Sequence, residues 1–293
     1  MRVNLFTVQS PLIGRTIENR HLTPEARGPR NDVRHITIRY ELEYPYRPGQ
    51  SAGILMPGVD PLTGKPHKLR LYSVASVGAG DHGDHRTVSL CVVRHFWDNP
   101  KTGEKNIPGL TSNYLCDLKV GDPVALTGPV GLHFLLPDDF KRRDFVFVAT
   151  GTGIAPYRGM LQDLFDAGFD GRVWLYFGVQ YRDVVLYDDE FEAYRKYPNF
   201  FYIKAISRED SNPIPDQVPT RQNRMYVQVK MSQDRKTLQE VLSKPDSMIY
   251  LCGLKGMEQG IFPVLEKIGS DMGFRDSLVA NLKAAKRLRV EVY

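Results

Sequence analysis

Cysteine is scarce in this chain of 293 residues: Cys91, Cys116 and Cys252 are odd in number and far apart. That argues against a disulfide framework and for a reducing compartment. It also excludes a cysteine-ligated iron–sulfur cluster, whose full set of thiolates three cysteines cannot supply. If the chain handles electrons, such a cluster is on a partner. No apolar run is long enough to span a bilayer. The start, Met1-Arg-Val-Asn-Leu-Phe6, lacks a signal-peptide layout, so a cytoplasmic protein, or a chain already trimmed of its leader, is expected, with no membrane span. Extreme charge is missing too. A net charge of +5 favours an anionic partner or ligand, but is too mild, and Lys and Arg are too scattered, for nucleic acid. Repeats, heptads and low-complexity stretches are absent. No metal site is expected: Asp81-His-Gly-Asp-His85 reads as a polar hairpin loop, with nothing nearby to complete a ligand set. No Ser–His–Asp pattern stands out.

What is present divides in two. At this length one large or two ordinary domains are expected, and 42% hydrophobic residues suffice for real cores. Residues 1 to 30 read as a polar N-terminal arm. Short strands follow at Val33–Tyr40, Ser51–Met56, Leu69–Ala75, Thr87–Arg94 and Val124–Thr127. Between them lie Gly/Pro turns, a loop over Pro57–Pro66, and one short helix at Ser112–Leu118 capped by Ser112 or Thr111. After Pro137 the pattern alternates. Strands are expected at Phe145–Ala149, Arg172–Gly178, Phe200–Ile206 and Ser247–Cys252. Helices are expected after Pro156 and at Asp188–Lys196, Ser232–Leu242, Gly256–Ile268 and Ser277–Arg287. This predicts a two-domain α+β chain. Residues 1–138 form an antiparallel β-barrel, and residues 139–293 a doubly wound parallel α/β sheet. The chain ends on Val290-Glu-Val-Tyr293, too apolar for a disordered tail.

Two stretches carry chemistry. In Ala149-Thr-Gly-Thr-Gly-Ile-Ala-Pro-Tyr157, a buried strand runs into a glycine turn and then a helix start. That is where backbone N–H groups meet an anionic ligand, often phosphate. It is neither the G-x-G-x-x-G fingerprint nor the P-loop, and alone it is also an ordinary strand-to-helix turn. In Arg70-Leu-Tyr-Ser73, Arg70 and Tyr72 share one face of a strand. A cation beside an aromatic suits a flat, phosphate-bearing cofactor, with Arg for pyrophosphate and Tyr for stacking.

In these stretches the chain resembles the plant-type ferredoxin–NADP⁺ reductase family. Arg70-Leu-Tyr-Ser73 is similar to that family's flavin signature. Further matches follow in order: Ser89–Arg94, Ser112–Lys119, Leu126–Gly131, Gly151–Pro156, Ile206–Glu209, Arg224–Gln228, Leu251–Glu258 and Val290–Tyr293. The likeness runs from about Tyr44 to the end. Residues 1–40 match only loosely.

The resemblance implies FAD in the first domain and NADP(H) in the second. Arg70, Leu71, Tyr72 and Ser73 would hold the flavin, with Tyr72 stacked on the isoalloxazine. Cys91, Val92 and the turn Leu110-Thr111-Ser112 would contact its diphosphate and adenine side, and Trp97 would stack on the adenine. Val93 stands where the family often has a Lys that helps hold NADP⁺ phosphate, so Arg94 or another basic residue must compensate, or affinity falls. Thr152 and its neighbours would form the pyrophosphate and nicotinamide turn, and Val179, Gly253 and Leu254 would also contact the cofactors. Ser207, Arg208, Arg224 and Tyr226 would take the 2′-phosphate, and Gln228 the adenine or ribose. An NAD enzyme would rather place an acid there; Glu209 and Asp210 are near, but the two arginines argue for NADP(H).

Ser73, Cys252, Glu291 and Tyr293 resemble the family's catalytic set, with Cys252 beside the nicotinamide and Tyr293 over the flavin face opposite Tyr72. Tyr293 must then move for the nicotinamide to stack, a gating step. The implied reaction is electron transfer between an acidic ferredoxin or flavodoxin and NADP(H), by a monomer. The alternative is a reductase component serving an oxygenase through a separate ferredoxin.

Overall fold

The computed structural model describes residues 3–60 and 64–293. The first two residues of the expected N-terminal arm, and residues 61–63 of the loop expected over Pro57–Pro66, lie outside the described residues. The chain folds as two compact units. Residues up to Leu136 together with Ala155–Asp163 make one; Pro137–Ile154 and Leu164–Tyr293 make the other.

The first unit is an antiparallel barrel. Its strands are β1 (Leu12–His21), β2 (Val33–Arg39), β3 (Ser51–Leu55), β4 (Arg70–Ser73), β5 (Thr87–Val93), the short pair β6 (Phe96–Trp97) and β7 (Ile107–Pro108), and β8 (Pro123–Val130). One helix, α1 (Leu110–Asp117), precedes β8. The main sheet runs β4-β3-β8-β1-β2-β5, and a bridge between Val74 and Leu90 closes its two edges on each other. Closure removes the sheet edges that would otherwise invite pairing with another chain. Ile36, Ile38, Ile54, Val88, Leu90 and Leu126 fill the interior. Three buried tyrosines share it. Tyr44 donates to the Thr127 carbonyl (2.9 Å), Tyr46 to that of Thr87 (2.9 Å), and Tyr40 also to Thr87 (3.1 Å). Each hydroxyl is therefore satisfied, as burial requires.

On the barrel's outer face the segment Gly78–Arg86 lies over β2 and β5. Asp81 anchors it: the carboxylate meets His35 Nε2 at 3.0 Å and accepts from Ser89 Oγ (2.7 Å) and Arg158 Nη1 (2.7 Å). The polar hairpin loop expected there is thus a cover for buried His35 and Thr37.

The second unit alternates strand and helix: β9 (Phe145–Thr150), α2 (Ala155–Asp166), β10 (Val173–Val179), α3 (Asp188–Ala193), β11 (Phe200–Ile206), α4 (Val227–Gln233), α5 (Arg235–Ser243), β12 (Met248–Gly253), α6 (Met257–Asp271), α7 (Leu278–Ala284) and β13 (Leu288–Val292). The first nine residues of α2 belong to the barrel unit. All neighbouring strands are parallel, in the order β11-β10-β9-β12-β13. Near-continuous apolar strands are what a sheet covered on both faces requires. Val146 and Val148 face the side packed by α4 to α7. Phe145 and Phe147 face the other, where Tyr250 and Phe169 meet them at ring distances of 5.6 to 6.2 Å. The two-domain α+β expectation describes this architecture.

Four local expectations are corrected. Residues 12–21 are not part of a polar arm; they form β1, in the middle of the barrel sheet. Its buried positions are Leu12, Gly14 and Thr16, and apolar Ile13 is exposed on the other face, so the alternation leaves little hydrophobic signal. Gly14 is needed because a Cβ there would fall 2.5 Å from Ile38 and 2.9 Å from the Arg39 carbonyl. Helix α1 starts at Leu110, two residues early, with Gly109 at its N-cap and no side-chain cap bond. The single helix expected at Ser232–Leu242 is two, broken at Asp234, which accepts from the Tyr176 hydroxyl at 3.0 Å. The last helix ends at Ala284, because Lys286 turns left-handed (φ 57°) and returns the chain as β13.

Candidate functional site

In the barrel, the end of β4 is joined to β5 where Val74 pairs with Leu90 and the Ala75 N–H donates to the Ser89 carbonyl (2.8 Å). Away from that point Arg70–Ser73 pair with β3, and Cys91–Val93 pair with β2. The two strands part, and the opening is flanked by the residues expected to hold a flavin. Arg70 and Leu71 are exposed, and Tyr72 and Ser73 half-buried. Arg70 makes no ion pair among the described residues, so its guanidinium can meet an anion. Tyr72 packs on the barrel core with its phenol held protonated, chiefly by burial. Cys91 is buried, as is Val92, whose carbonyl lies 3.9 Å from the Cys116 sulfur. Cys116 is itself pushed up to about 12 by burial and stays a thiol.

The start of α1 lies beside β6. Asn113 Nδ2 donates to the carbonyls of His95 (2.9 Å) and Gly109 (2.8 Å), which holds the first turn of α1 beside His95. Trp97 and Leu110 are exposed, and Thr111 is buried. First-turn N–H groups of a helix have no partner within it, and so suit phosphate. The Ser112 hydroxyl is turned inward, donating to the Gly109 carbonyl (3.3 Å). Arg94 is heavily used: Nε donates to Asp32 (2.9 Å), Nη1 to Asn113 (3.2 Å) and Nη2 to Asp117 (2.7 Å). Two of its five N–H groups are left, so it braces α1 and is a poor replacement for the cation absent at Val93.

In the second unit the strand order reverses between β9 and β12. At such a reversal a crevice opens at the carboxyl ends of the strands, the place where open α/β sheets bind ligands. The glycine turn is there. Gly153 packs so tightly that a Cβ would fall 2.2 Å from the Cys252 carbonyl oxygen and 2.5 Å from the Gly253 Cα. Gly253 closes the other side: a Cβ there would fall 2.1 Å from Thr150 Oγ1, and its φ is +147°. Thr150 Oγ1 accepts from the Leu254 N–H at 3.0 Å. Backbone is thus brought close enough to cradle a phosphate-bearing chain.

Cys252, Glu291 and Tyr293 meet at this crevice. Cys252 is fully buried and stands opposite Glu291 in the pairing of β12 with β13. Burial first, and the Glu291 carboxylate second, raise its pKa well above that of an ordinary thiol. At neutral pH it is an S–H group. Tyr293 lies across the turn: its N–H donates to the Gly253 carbonyl (3.1 Å), its carbonyl accepts from Lys255 N–H (2.9 Å), and its hydroxyl is 2.6 Å from Thr152 Oγ1. The ring is nonetheless half exposed.

The residues expected around a 2′-phosphate come from two loops tied together. Met225 N–H donates to the Asp210 carbonyl (3.0 Å), and Ser211 bridges Arg224. Arg208 is exposed and makes no ion pair among the described residues. Arg224 and Tyr226 are partly exposed, and one Arg224 nitrogen bonds Gln222. Ser207 is buried, its hydroxyl donating to the Val179 carbonyl (3.1 Å), so Val179 positions Ser207. Gln228 packs its amide against Gly260 of α6.

Sequence reasoning passed over Thr150, although it directly precedes the glycine turn. It also passed over Lys255, whose contribution is a backbone N–H and leaves no side-chain signal, and over Arg182, which belongs to no motif.

The model of the oxidoreductase NAD-binding domain family matches residues 147–262, which span the glycine turn, the 2′-phosphate loops and β12. A leaf-type chloroplastic ferredoxin–NADP reductase of Nicotiana tabacum is 43% identical over 99% of this chain and 79% of its own length. A ferredoxin–NADP reductase of Spirulina sp. is 41% identical over 99% of this chain and 98% of its own. Among solved structures, the ferredoxin–NADP⁺ reductase of Plasmodium falciparum superposes with a TM-score of 0.75 at 27% identity, covering 99% of both chains. The same protein with 2′P-AMP superposes at 0.74 and 26% identity, covering 99% of this chain and 98% of the other.

Proposed function

Because the chain belongs to the plant-type ferredoxin–NADP reductase family, we propose that it moves electrons between a ferredoxin and NADP(H) on FAD. The observation that carries this beyond family membership is Tyr293, bound through backbone and hydroxyl across a glycine turn at the sheet's switch point. An aromatic ring in a nucleotide crevice is a natural stand-in for a nicotinamide. Bound FAD supplies the redox chemistry, exchanging a hydride with the nicotinamide and single electrons with the carrier.

The chain's own residues bind, orient and shield. Residues 1–138 serve FAD. The Arg70 guanidinium pairs with the pyrophosphate, the Tyr72 ring stacks on the isoalloxazine, and Trp97 takes the adenine. Leu71, Ser73, Cys91, Val92 and the Leu110–Ser112 turn complete that site, and Arg94 holds the turn in place. Residues 139–293 serve NADP(H), with Thr152, Gly253 and Leu254 along the pyrophosphate and nicotinamide. Arg208 and Arg224 meet the 2′-phosphate, Tyr226 stacks on the adenosine, and Ser207, Val179 and Gln228 position them. The Ser73 hydroxyl and Glu291 carboxyl are the groups able to hold the proton that balances the hydride, and Cys252 offers a neutral S–H. Tyr293 yields to the nicotinamide by breaking its hydroxyl bond to Thr152, the gating step. The net charge of +5 suits an acidic ferredoxin, or a flavodoxin, and a monomer suffices. Three buried cysteines outside any disulfide fit a reducing compartment such as the cytoplasm. No helix among the described residues is long and apolar enough to cross a membrane.

Rapid mixing with NADPH and with NADH is the test. NADPH bleaches the bound flavin quickly, NADH slowly, and added ferredoxin restores the colour. Equal rates with both nucleotides reject the 2′-phosphate assignment. Protein that is colourless and takes up no FAD rejects the reading as a whole.

A further inference from the structure

The loop that carries Arg208 also carries two charges opposed to its ligand. Glu209 and Asp210 follow it directly, and a carboxylate beside the ribose is what an NAD site uses to bond the 2′-hydroxyl. Arg208 and Arg224 are balanced one for one by these acids. A phosphate approaching such a neutral cluster gains little.

The structure supplies a fifth charge. The chain leaving β10 runs beside the chain leaving β11: Ser207 N–H donates to the Val179 carbonyl and Arg208 N–H to that of Gln180, both at 2.9 Å. This brings Arg182 to the two acids. Its Nε lies 3.2 Å from Glu209 Oε2, its backbone N–H donates to the same oxygen at 3.3 Å, and its Nη2 pairs with Asp210. One guanidinium thus holds both carboxylates while Arg208, between them and Ser207 in sequence, stays exposed. The cluster becomes net positive, and the carboxylates are turned to Arg182.

We propose that Arg182 is a specificity-positioning residue for the dinucleotide. By clamping Glu209 and Asp210 it keeps both carboxylates from the 2′-phosphate of NADP(H) and withholds them from the 2′-hydroxyl of NAD(H). This rests on the reading that Arg208 and Arg224 hold the 2′-phosphate. The clamp acts in opposite directions on the two nucleotides, which a merely structural role would not do. Its groups are partly exposed, so its effect is modest and screened by salt.

The experiment uses the FAD-loaded enzyme. KM is measured for NADPH and NADH, and binding of 2′-phospho-AMP and AMP is measured by calorimetry at low and high salt. Arg182→Ala raises KM for NADPH about two- to fivefold and lowers KM for NADH by a similar factor, the range expected for exposed pairs. Arg182→Lys restores part of the preference. The triple variant Arg182→Ala, Glu209→Gln, Asp210→Asn recovers tight 2′-phospho-AMP binding, since no carboxylate is left to mask. Arg208→Ala separates the two readings. If wild type does not prefer 2′-phospho-AMP over AMP, or Arg208→Ala leaves that preference intact, the phosphate pocket is wrong and the proposal falls with it. If the preference depends on Arg208 while Arg182→Ala changes neither nucleotide, or weakens both alike, the proposal alone is overturned.

Discussion

The two units prepare ground for a ligand by opposite means. The barrel does it with side chains: β4 and β5 part beyond Val74 and Leu90, and the opening is edged by an exposed Arg70 and a half-buried Tyr72. The α/β unit does it with backbone. Gly153 and Gly253 let two turns approach more closely than any Cβ allows, and the donors there are N–H groups. The difference sets what each site tolerates. A barrel side chain can be removed with the strand left in place. Gly153 and Gly253 cannot be changed without moving the end of β12 or the turn packed on it.

The harshest test of that contrast is Gly153→Ala. The added carbon would press on the Cys252 carbonyl from 2.2 Å, and both neighbouring atoms are backbone. β12 must shift, taking Cys252 and the hydrogen bond between Tyr293 and Gly253 with it. Displacements near one ångström cost roughly 10²-fold in turnover efficiency, and that is the loss expected in kcat/KM for NADPH. FAD content should not change, because the barrel's residues are untouched. Wild-type kcat/KM, measured alongside flavin content, would show that the close approach is not needed.

Legibility follows the same division. The α/β unit was readable because its strands are long apolar runs and its turns carry Gly and Pro: Phe145–Ala149, Phe200–Ile206 and the glycine turn all stand where expected. The barrel was readable only where alternation is carried by large residues. β2 shows Ile36 and Ile38; β1 hides its inward face behind Gly14 and Thr16, and it passed for an arm. Of the candidate site, motif residues such as Arg70, Thr152 and Arg208 were named in advance. Side chains that act on other side chains were not. Nothing in Gln180-Tyr-Arg182 announces a partner at Glu209, because the pairing of β10 with β11 makes that contact. Asp81 is the same case: two of its partners, His35 and Arg158, are far from it in sequence and reach it only in the folded unit.

Arg70→Ala sharpens the comparison from the barrel side. Arg70 is exposed on β4, with no ion pair among the described residues to lose, so the apoprotein should keep its far-UV spectrum and melting temperature. A charge-assisted hydrogen bond to pyrophosphate is worth about 1.5–3 kcal/mol, which weakens FAD binding roughly 10- to 100-fold. Titration of the apoprotein with FAD, followed by flavin fluorescence, measures it. Undiminished affinity would remove Arg70 from the flavin site; a fall in melting temperature would make it a folding residue instead.

The smallest effect concerns one carboxylate in each unit that ties distant segments together: Asp81, partly buried, in the barrel and Asp144, buried, in the α/β unit. Burial alone would raise the Asp144 carboxyl. Hydrogen bonds from Arg172 and then Lys244 outweigh burial and hold it below the usual carboxylate range. A depressed pKa contributes stability that is complete above the unfolded value of about 3.9 and is lost as pH falls toward the folded one. Asp144→Asn keeps an acceptor for the Arg172 N–H but loses the charge, and the partners are partly exposed, so the cost near neutrality is about 1–2 kcal/mol. Trp174 of β10, with the Arg172 guanidinium 5.0 Å from its ring centroid, reports on this unit by fluorescence once Trp97 is replaced by Phe. Denaturant curves at a series of pH values should show wild type and Asp144→Asn well separated near neutrality and converging below about pH 4. A gap of constant size at every pH would mean that packing rather than charge gives Asp144 its hold. The α/β unit would then be locked, like its nucleotide crevice, by shape alone.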